Sequence, residues 1–308
     1  MGYRSIFTSN LFAGQVVIVT GGGSGIGRCT AHELASLGAT VALVGRRPEK
    51  LDAVRGEIEE AGGRATVHAC DIREEDRVRA TVSAILAATG RIDGLVNNAG
   101  GQFSAPLAAI SAKGWDVVVR NNLTGGFLFA RETYTQWMNE HGGAIVNVVA
   151  DMWGSMPGMG HSGAARAGMV NFTETAAVEW APSGVRVNAV APGWIASSGM
   201  DTYPDWMQPY LARLHTAVPL QRLGTESEVS AAICFLLSPA AAFISGSVVR
   251  IDGAAPNAKL ASPLSALMPG GNADDPNAPP PWPLPSHGRS RPWDGFHLAK
   301  RRRRPDER

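Results

Sequence analysis

The sequence predicts an α/β fold, a single doubly wound domain with a parallel sheet of about seven strands and helices on both faces. Three observations carry this. Seven short β-branched runs alternate with longer stretches that read as helices, the pattern of βαβ units around a covered parallel sheet. A glycine-rich turn follows the first run directly. The 308 residues are 44% hydrophobic, ample for one buried core. The domain is assigned to 15–260, after a lead segment, 1–14, and before a tail, 261–308.

The first run, VVIVT, leads into TGGGSGIG, Thr20 to Gly27, and then a helical pattern. Gly21, Gly25 and Gly27 permit a tight turn and close backbone approach to a pyrophosphate, with Ser24 and Ile26 between them at the N-terminus of the helix. The spacing is Thr-Gly-x-x-x-Gly-x-Gly, not the literal Gly-x-Gly-x-x-Gly, and by itself the turn fits either a dinucleotide phosphate site or a structural turn. The second run, TVALVG, ends at Gly45, where a carboxylate would accept hydrogen bonds from the ribose of NAD. Arg46 and Arg47 follow instead, suiting the 2′-phosphate of NADP, with Ser24 as a helper. Pro48 then opens a helix with Leu51, Val54 and Ile58 at helical spacing.

The third run, ATVHA, is followed by Asp71 and Ile72; the fourth, GLVNN, runs into VNNAG, Val96 to Gly100. The fifth is AIVNVV, the sixth VRVNAVAP with the APG loop at 191–193, and the seventh SVVRID. Loops that leave the C-terminal ends of parallel strands are where an open α/β sheet binds its ligand.

These motifs together resemble the short-chain dehydrogenase/reductase family over about 15–253. By that resemblance Asp71 and Ile72 border the adenine, Asn98, Ala99 and Gly100 line the cofactor cleft, and Pro192, Gly193 and Ile195 face the nicotinamide. The family's usual catalytic Tyr and Lys, which precede an Ala-Gly pair, correspond to Ser162 and Arg166 ahead of Ala167-Gly168 in HSGAARAGM. Val149 and Ala150 stand where its catalytic Ser is found; its helix Asn is kept as Asn122. Arg166 is expected to reach the cofactor ribose as well.

A serine hydroxyl is very weakly acidic and Arg stays protonated, so neither serves as the base that alcohol oxidation demands. Reduction of a C=C bond conjugated to a thioester instead places negative charge on the carbonyl oxygen, which fixed donors stabilise. Arg166, Ser162 and Asn122 are donors, and His161 or Asp151 is a candidate acid for the later protonation. The stretches NNAGGQF, MNEHGGAIVN, HSGAARAG and CFLLSPAAAFISG are similar to those of peroxisomal-type trans-2-enoyl-CoA reductases within that family and, more distantly, of 2,4-dienoyl-CoA reductases. The chain also resembles bacterial members assigned to citronellol and citronellal oxidation. Three readings therefore stand: an NADPH-dependent reductase of 2-enoyl-CoA thioesters, a terpenoid alcohol or aldehyde dehydrogenase with another base, and a dinucleotide-binding protein without catalysis.

The expected partner is a small molecule, an acyl-CoA or a terpenoid. Met152, Trp153, Met156 and Met159, with Tyr203, Trp206, Met207 and Tyr210, are candidates for a lid over an elongated apolar substrate. A formal net charge of +1 gives no footprint for nucleic acid, and no apolar run approaches the ~18 residues of a membrane span. Cys29, Cys70 and Cys234 fit neither a disulfide framework nor a metal site, and the N-terminus does not read as a secretory signal, so a cytoplasmic location is expected. The resemblance also implies a homo-oligomer, commonly a tetramer. Ten of the twenty prolines fall in 261–308, a composition that predicts disorder, and the run Lys300 to Arg304 reads as a solvated basic tail.

Overall fold

The computed structural model describes residues 7–198, 200, 211 and 213–257. The tail 261–308 and Tyr203, Trp206, Met207 and Tyr210 lie outside the described residues. Seven strands form one parallel sheet: β1 (Val16–Thr20), β2 (Thr40–Gly45), β3 (Arg64–Ala69), β4 (Gly94–Asn97), β5 (Gly143–Val148), β6 (Val185–Pro192) and β7 (Val248–Ile251). Their order is β3-β2-β1-β4-β5-β6-β7, so strand order reverses between β1 and β4 and a crevice opens beyond their C-terminal ends. Every residue of β1 is buried, which explains why this strand reads as an unbroken apolar run closed by one threonine.

Each strand shares its residues between two cores. Val17, Val19, Val41, Leu43 and Val96 face α1 (Gly25–Ser36), α2 (Pro48–Glu60) and a late helix, Glu226–Leu237. Their neighbours Val16, Ile18, Ala42, Val44 and Leu95 face α3 (Glu75–Thr89) and, further along the chain, 125–133 and 160–179. The second of these layers continues through α4 (Ala112–Val119), a π-turn at Arg120–Thr124, α5 (Gly125–Thr133), a second π-turn at Tyr134–Met138 and α6 (Asn139–His141). α7 (Gly160–Glu179) and α8 (Glu226–Leu237) complete the layers.

The ends of α8 are fixed in two ways. At its start Thr225 accepts from Glu228 N while the Glu228 carboxylate accepts from Thr225 N, a reciprocal capping box. At its end the Arg186 guanidinium, projecting from β6, donates to the carbonyls of Leu236 at 2.7 Å and of Leu237 and Ser238 at 3.2 Å. Those carbonyls have no helical partners, so one half-buried cation satisfies a helix terminus and complements its negative end. Among the described residues no helix is long and apolar enough to cross a membrane.

Glu33 of α1 is fully buried. Burial raises its carboxyl from 4.5 to about 8. An acid whose folded pKa is raised binds a proton that the unfolded chain has already released, so its linkage lowers stability as pH rises from about 4.5 to about 8. Glu33→Gln should remove that slope. Thermal melts from pH 5 to 8 should show the variant gaining on the wild type as pH rises, and a constant difference would contradict the assignment.

Candidate cofactor and active site

Thr20 ends β1 and organises the crevice. Its hydroxyl donates to Val96 O at 3.2 Å and accepts from the backbone N–H groups of Asn98 and Ala99, both at 3.0 Å. Asn98 Nδ2 returns a bond to Thr20 O at 3.0 Å. The first turn and the loop after β4 are thus held together across the point where strand order reverses.

The glycines of the first turn have separate reasons. Gly21 takes φ +69°, and a Cβ on it would stand 2.8 Å from Asn98 Nδ2. Gly27 lies under the turn, where a Cβ would collide with the Gly21 carbonyl oxygen and the Asn98 amide. Helical bonding begins with Arg28 N to Ser24 O, at 3.1 Å, which leaves the amides ahead of it without helical partners at the positive end of α1. Ser24 is the N-cap, with an exposed hydroxyl that makes no cap bond.

A cleft of about 330 Å³ lies over this turn. It brings together Gly21, Ser24, Gly25, Ile26, Arg46, Arg47, Asp71, Ile72, Asn98, Ala99 and Gly100, as the sequence suggests, and adds Gly45, Lys50, Cys70, Asn121, Ser197 and Ser198. The side-chain-free space that these glycines leave above unpaired amides fits a pyrophosphate, and Gly45 with Arg46, Arg47 and Lys50 beside it fits a phosphorylated ribose. Of the other residues assigned to the cofactor, Gly27 supports the turn from below. Pro192, Gly193 and Ile195 are outside the lining: Pro192 O accepts from Asp151 N at 3.1 Å, Gly193 packs on Asp252, and Ile195 is buried against Gly224.

Beside the cleft, Asn122 sits in the first π-turn and is buried. Its Nδ2 donates to Gly101 O at 2.8 Å and its Oδ1 accepts from Gly101 N at 3.1 Å. Ser162 Oγ donates to Gln102 Oε1 at 2.5 Å. Asn122 and Ser162, read from the sequence as donors to a substrate oxygen, therefore hold the 101–102 loop here. Gln102, which no sequence motif assigns a role, is exposed, and with its Oε1 accepting from Ser162 its amide nitrogen is a further donor on this loop.

One helical turn from Ser162, Arg166 donates from Nη1 to Val148 O at 2.6 Å, while Nη2 lies 2.7 Å from where a Cβ on Gly100 would be. Its Nε is enclosed without a partner. Burial pushes the guanidinium down to about 10, so it remains a cation at neutral pH. His161 is fully buried: Nδ1 accepts from Ser162 N at 3.0 Å, the ring meets the edge of Phe103 at 4.5 Å, and Nε2 has no partner. On the far side Asp151 has a buried, unpartnered Oδ1. Burial and then the nearby Asp252 carboxylate raise its acid above the ordinary value, against the opposing pull of Arg250. Arg250 meets Asp252 at 3.5 Å and stacks over Trp153 at 5.6 Å. Asp151 Oδ1 and His161 Nε2 are each without a partner, so these two atoms do not bond to one another.

Thr20 is the residue whose loss should be most legible. In Thr20→Val the N–H groups of Asn98 and Ala99 lose their acceptor, at about 1–3 kcal/mol for a buried group left unpaired. The expected outcome is a lower melting temperature together with nicotinamide-dinucleotide binding weakened at least tenfold in a fluorescence titration, while Thr20→Ser retains both. Binding that survives Thr20→Val would remove Thr20 from this role.

Comparison with known proteins bears on the same residues. A family model described as Enoyl-(Acyl carrier protein) reductase matches residues 21–254. The structure of a citronellol catabolism dehydrogenase (AtuB) from Pseudomonas aeruginosa PAO1 is 63% identical, with a TM-score of 0.75, covering 82% of this chain and 100% of that one. The probable 2,4-dienoyl-CoA reductase, (2E)-enoyl-CoA-producing, of Bacillus subtilis (strain 168) is 36% identical over 242 residues, 78% of this chain and 95% of the relative. The peroxisomal 2,4-dienoyl-CoA reductase, (3E)-enoyl-CoA-producing, of Danio rerio is 36% identical over 257 residues, 82% of this chain and 85% of the relative. The family match over 21–254 and these relatives show that the chain belongs to the short-chain dehydrogenase/reductase family of oxidoreductases.

Proposed function

We propose that the protein is an NADPH-dependent reductase of the C=C bond in 2-enoyl-CoA thioesters. The observation that carries this reading is that Ser162 and Arg166 occupy the places of the family's tyrosine and lysine: a hydroxyl committed to Gln102 and a cation enclosed beside Gly100. Neither takes a proton from an alcohol at neutral pH. The dinucleotide, when bound, supplies the hydride. The chain's own groups then have two tasks, to stabilise charge on the thioester oxygen and to deliver a proton to the α-carbon.

Arg166 supplies a fixed positive field, and the amide of Gln102, held by Ser162, supplies a hydrogen bond. A preorganised donor of this kind is worth about 3 kcal/mol, roughly a hundredfold in rate. Asp151 is assigned the proton. Partial burial and then the Asp252 carboxylate raise its acid from the ordinary value, and the β5 loop that carries it is tied to the end of β6. His161 supports Ser162 from below. Among cofactors NADP(H) is favoured over NAD(H), since Gly45 offers no carboxylate to a ribose and Arg46, Arg47 and Lys50 border the same space. The reading includes a cytoplasmic homo-oligomer; three buried free thiols suit a reducing compartment.

A second reading has a specific observation behind it. The 63% identity to a protein titled as a citronellol catabolism dehydrogenase makes oxidation of an acyclic terpenoid alcohol the alternative. It requires a base other than Ser162 or Arg166, and Asp151 as a carboxylate is the first candidate.

Steady-state assays separate the two. The wild type should consume NADPH with 2-enoyl-CoA and leave NADP unreduced with citronellol, and Ser162→Tyr with Arg166→Lys should impair the first reaction. Efficient turnover of citronellol or citronellal with none of the enoyl thioester would overturn the proposal, and tight NADPH binding with no turnover of either would identify a non-catalytic binder.

The proton assignment has its own signature. A protonated Asp151 as donor makes kcat fall as pH rises through its pKa. Removing the neighbouring anion with Asp252→Asn lowers that pKa and moves the limb to lower pH; removing the compensating cation with Arg250→Gln moves it to higher pH. Asp151→Asn should abolish the limb, and a profile unmoved by all three would exclude Asp151 as the donor.

A further inference from the structure

The cofactor cleft holds a carboxylate beside the arginine assigned to the 2′-phosphate. Asp71 and Arg46 both line it, and Arg46 is among the charges Asp71 senses. Left alone, an exposed arginine and a nearby carboxylate would pair, and a dianionic phosphate brought to that point would meet an anion. The structure avoids this through Arg73. Its Nε donates to Asp71 Oδ1 at 2.9 Å and its Nη2 to Oδ2 at 2.5 Å, while the backbone N–H of Arg73 donates to Oδ1 at 3.1 Å. Both carboxylate oxygens are thus held by a bidentate fork from two residues away. Arg46 is exposed and, among the described residues, makes no hydrogen bond or ion pair of its own with Asp71.

The fork is itself positioned. Arg120, the first residue of the π-turn that carries Asn122, donates from Nη2 to the Arg73 carbonyl at 3.3 Å. Arg77, the next arginine along, is paired with Glu74 at 2.6 Å. Arg73 is therefore the cation that the local geometry commits to Asp71.

We infer that Arg73 is a positioning residue for cofactor choice: by occupying both oxygens of Asp71 it neutralises the carboxylate and leaves Arg46 to the 2′-phosphate of NADP(H). The inference rests on the NADP(H) part of the proposed function. It goes beyond it in assigning specificity to a residue that need not touch the phosphate. In Arg73→Gln the neutralising charge and the fork are both lost, so Asp71 captures Arg46 and repels the phosphate. NADH, which carries a neutral 2′-hydroxyl in place of the phosphate, is little affected.

Equilibrium titrations of NADPH and NADH, by quenching of intrinsic fluorescence at fixed ionic strength, test this on the full chain. Wild type, Arg73→Gln, Arg73→Lys, Asp71→Asn and Asp71→Asn with Arg73→Gln are compared, with melting temperatures to confirm folding. A charged hydrogen bond redirected in this way corresponds to about tenfold in affinity. Arg73→Gln should lower the NADPH-over-NADH ratio by about that factor. Arg73→Lys, which keeps the charge but not the fork, should fall between, and serves in its place if Arg73→Gln fails to fold. Asp71→Asn should keep the preference, and the double variant should recover most of it, because no carboxylate remains to compete for Arg46. A wild-type preference that survives both Arg73 variants, or a double variant as poor as Arg73→Gln, overturns the inference alone. A wild type with no NADPH preference overturns the cofactor reading and the inference with it.

Discussion

The three hydrogen bonds of the Thr20 hydroxyl are the constraint on which the site depends. A parallel sheet opens a crevice wherever its strand order reverses, but an open crevice has no shape of its own. Here the β1 turn and the β4 loop must keep a fixed separation for the unpaired amides of α1 to address a ligand. Thr20 fixes it by serving both β4 carbonyl and loop N–H groups at 3.0–3.2 Å. Gly21 and Gly27 then follow of necessity, because the Asn98 amide drawn in by Thr20 occupies the space a Cβ would need. Sequence, turn geometry and cofactor cradle are one chain of causes.

The catalytic half is built on the same principle with different parts. Asn97 Nδ2 reaches from β4 to Asn147 Oδ1 at 2.9 Å, and Asn147 passes the connection to Thr173 of α7 at 2.8 Å. This buried polar chain ties β4 and β5 to the helix that carries Ser162 and Arg166. The π-turn at Arg120–Thr124 points Asn122 back at Gly101. A π-turn interrupts regular helical bonding, and such turns recur where a side chain has to be placed. The loop 100–102 is held by Asn122 at Gly101 and by Ser162 at Gln102, so the Gln102 amide is carried on a fixed support.

What the sequence disclosed and what it concealed follow from physics. The five inner strands were legible because strands buried on both faces read as apolar runs, the edge strands β3 and β7 because they keep valines within short half-buried runs, and the cofactor turn because its glycines are demanded by backbone approach. The Gly45-Arg46 pair was readable as an absence of charge followed by its opposite. Gln102, Arg73 and the Arg250–Asp252 pair were not, since their roles arise from contacts between loops that no periodicity encodes. Ser162 and Arg166 stand out in the sequence as departures from the family's usual Tyr and Lys, but which partners they take depends on Gln102 and Val148, distant by 60 and 18 residues. Arg73 left the faintest trace, a spacing of two from Asp71, because a fork between near neighbours looks in sequence like any other charged pair.

The site's cations differ in how they meet solvent, and this decides what each can do. Arg46 is exposed, so its attraction for a phosphate acts through water and mobile ions and is screened within about 8–10 Å at physiological salt. It can select a ligand that already sits against it, but it exerts little field on a reacting bond farther along the cleft. Arg166 is the opposite case. Its Nε is enclosed, one nitrogen is spent on a backbone carbonyl, and burial has lowered its pKa only to about 10, so the charge persists where solvent screening is weakest. A fixed charge in such surroundings stabilises a developing oxyanion without reorganising, whereas it disfavours any step in which positive charge must build beside it. Under the proposed reading, a hydroxyl committed to Gln102 stands where the family has its tyrosine acid/base, while Arg166 keeps positive charge where the family has a lysine, so the site loses a proton carrier and retains the means to hold an anion.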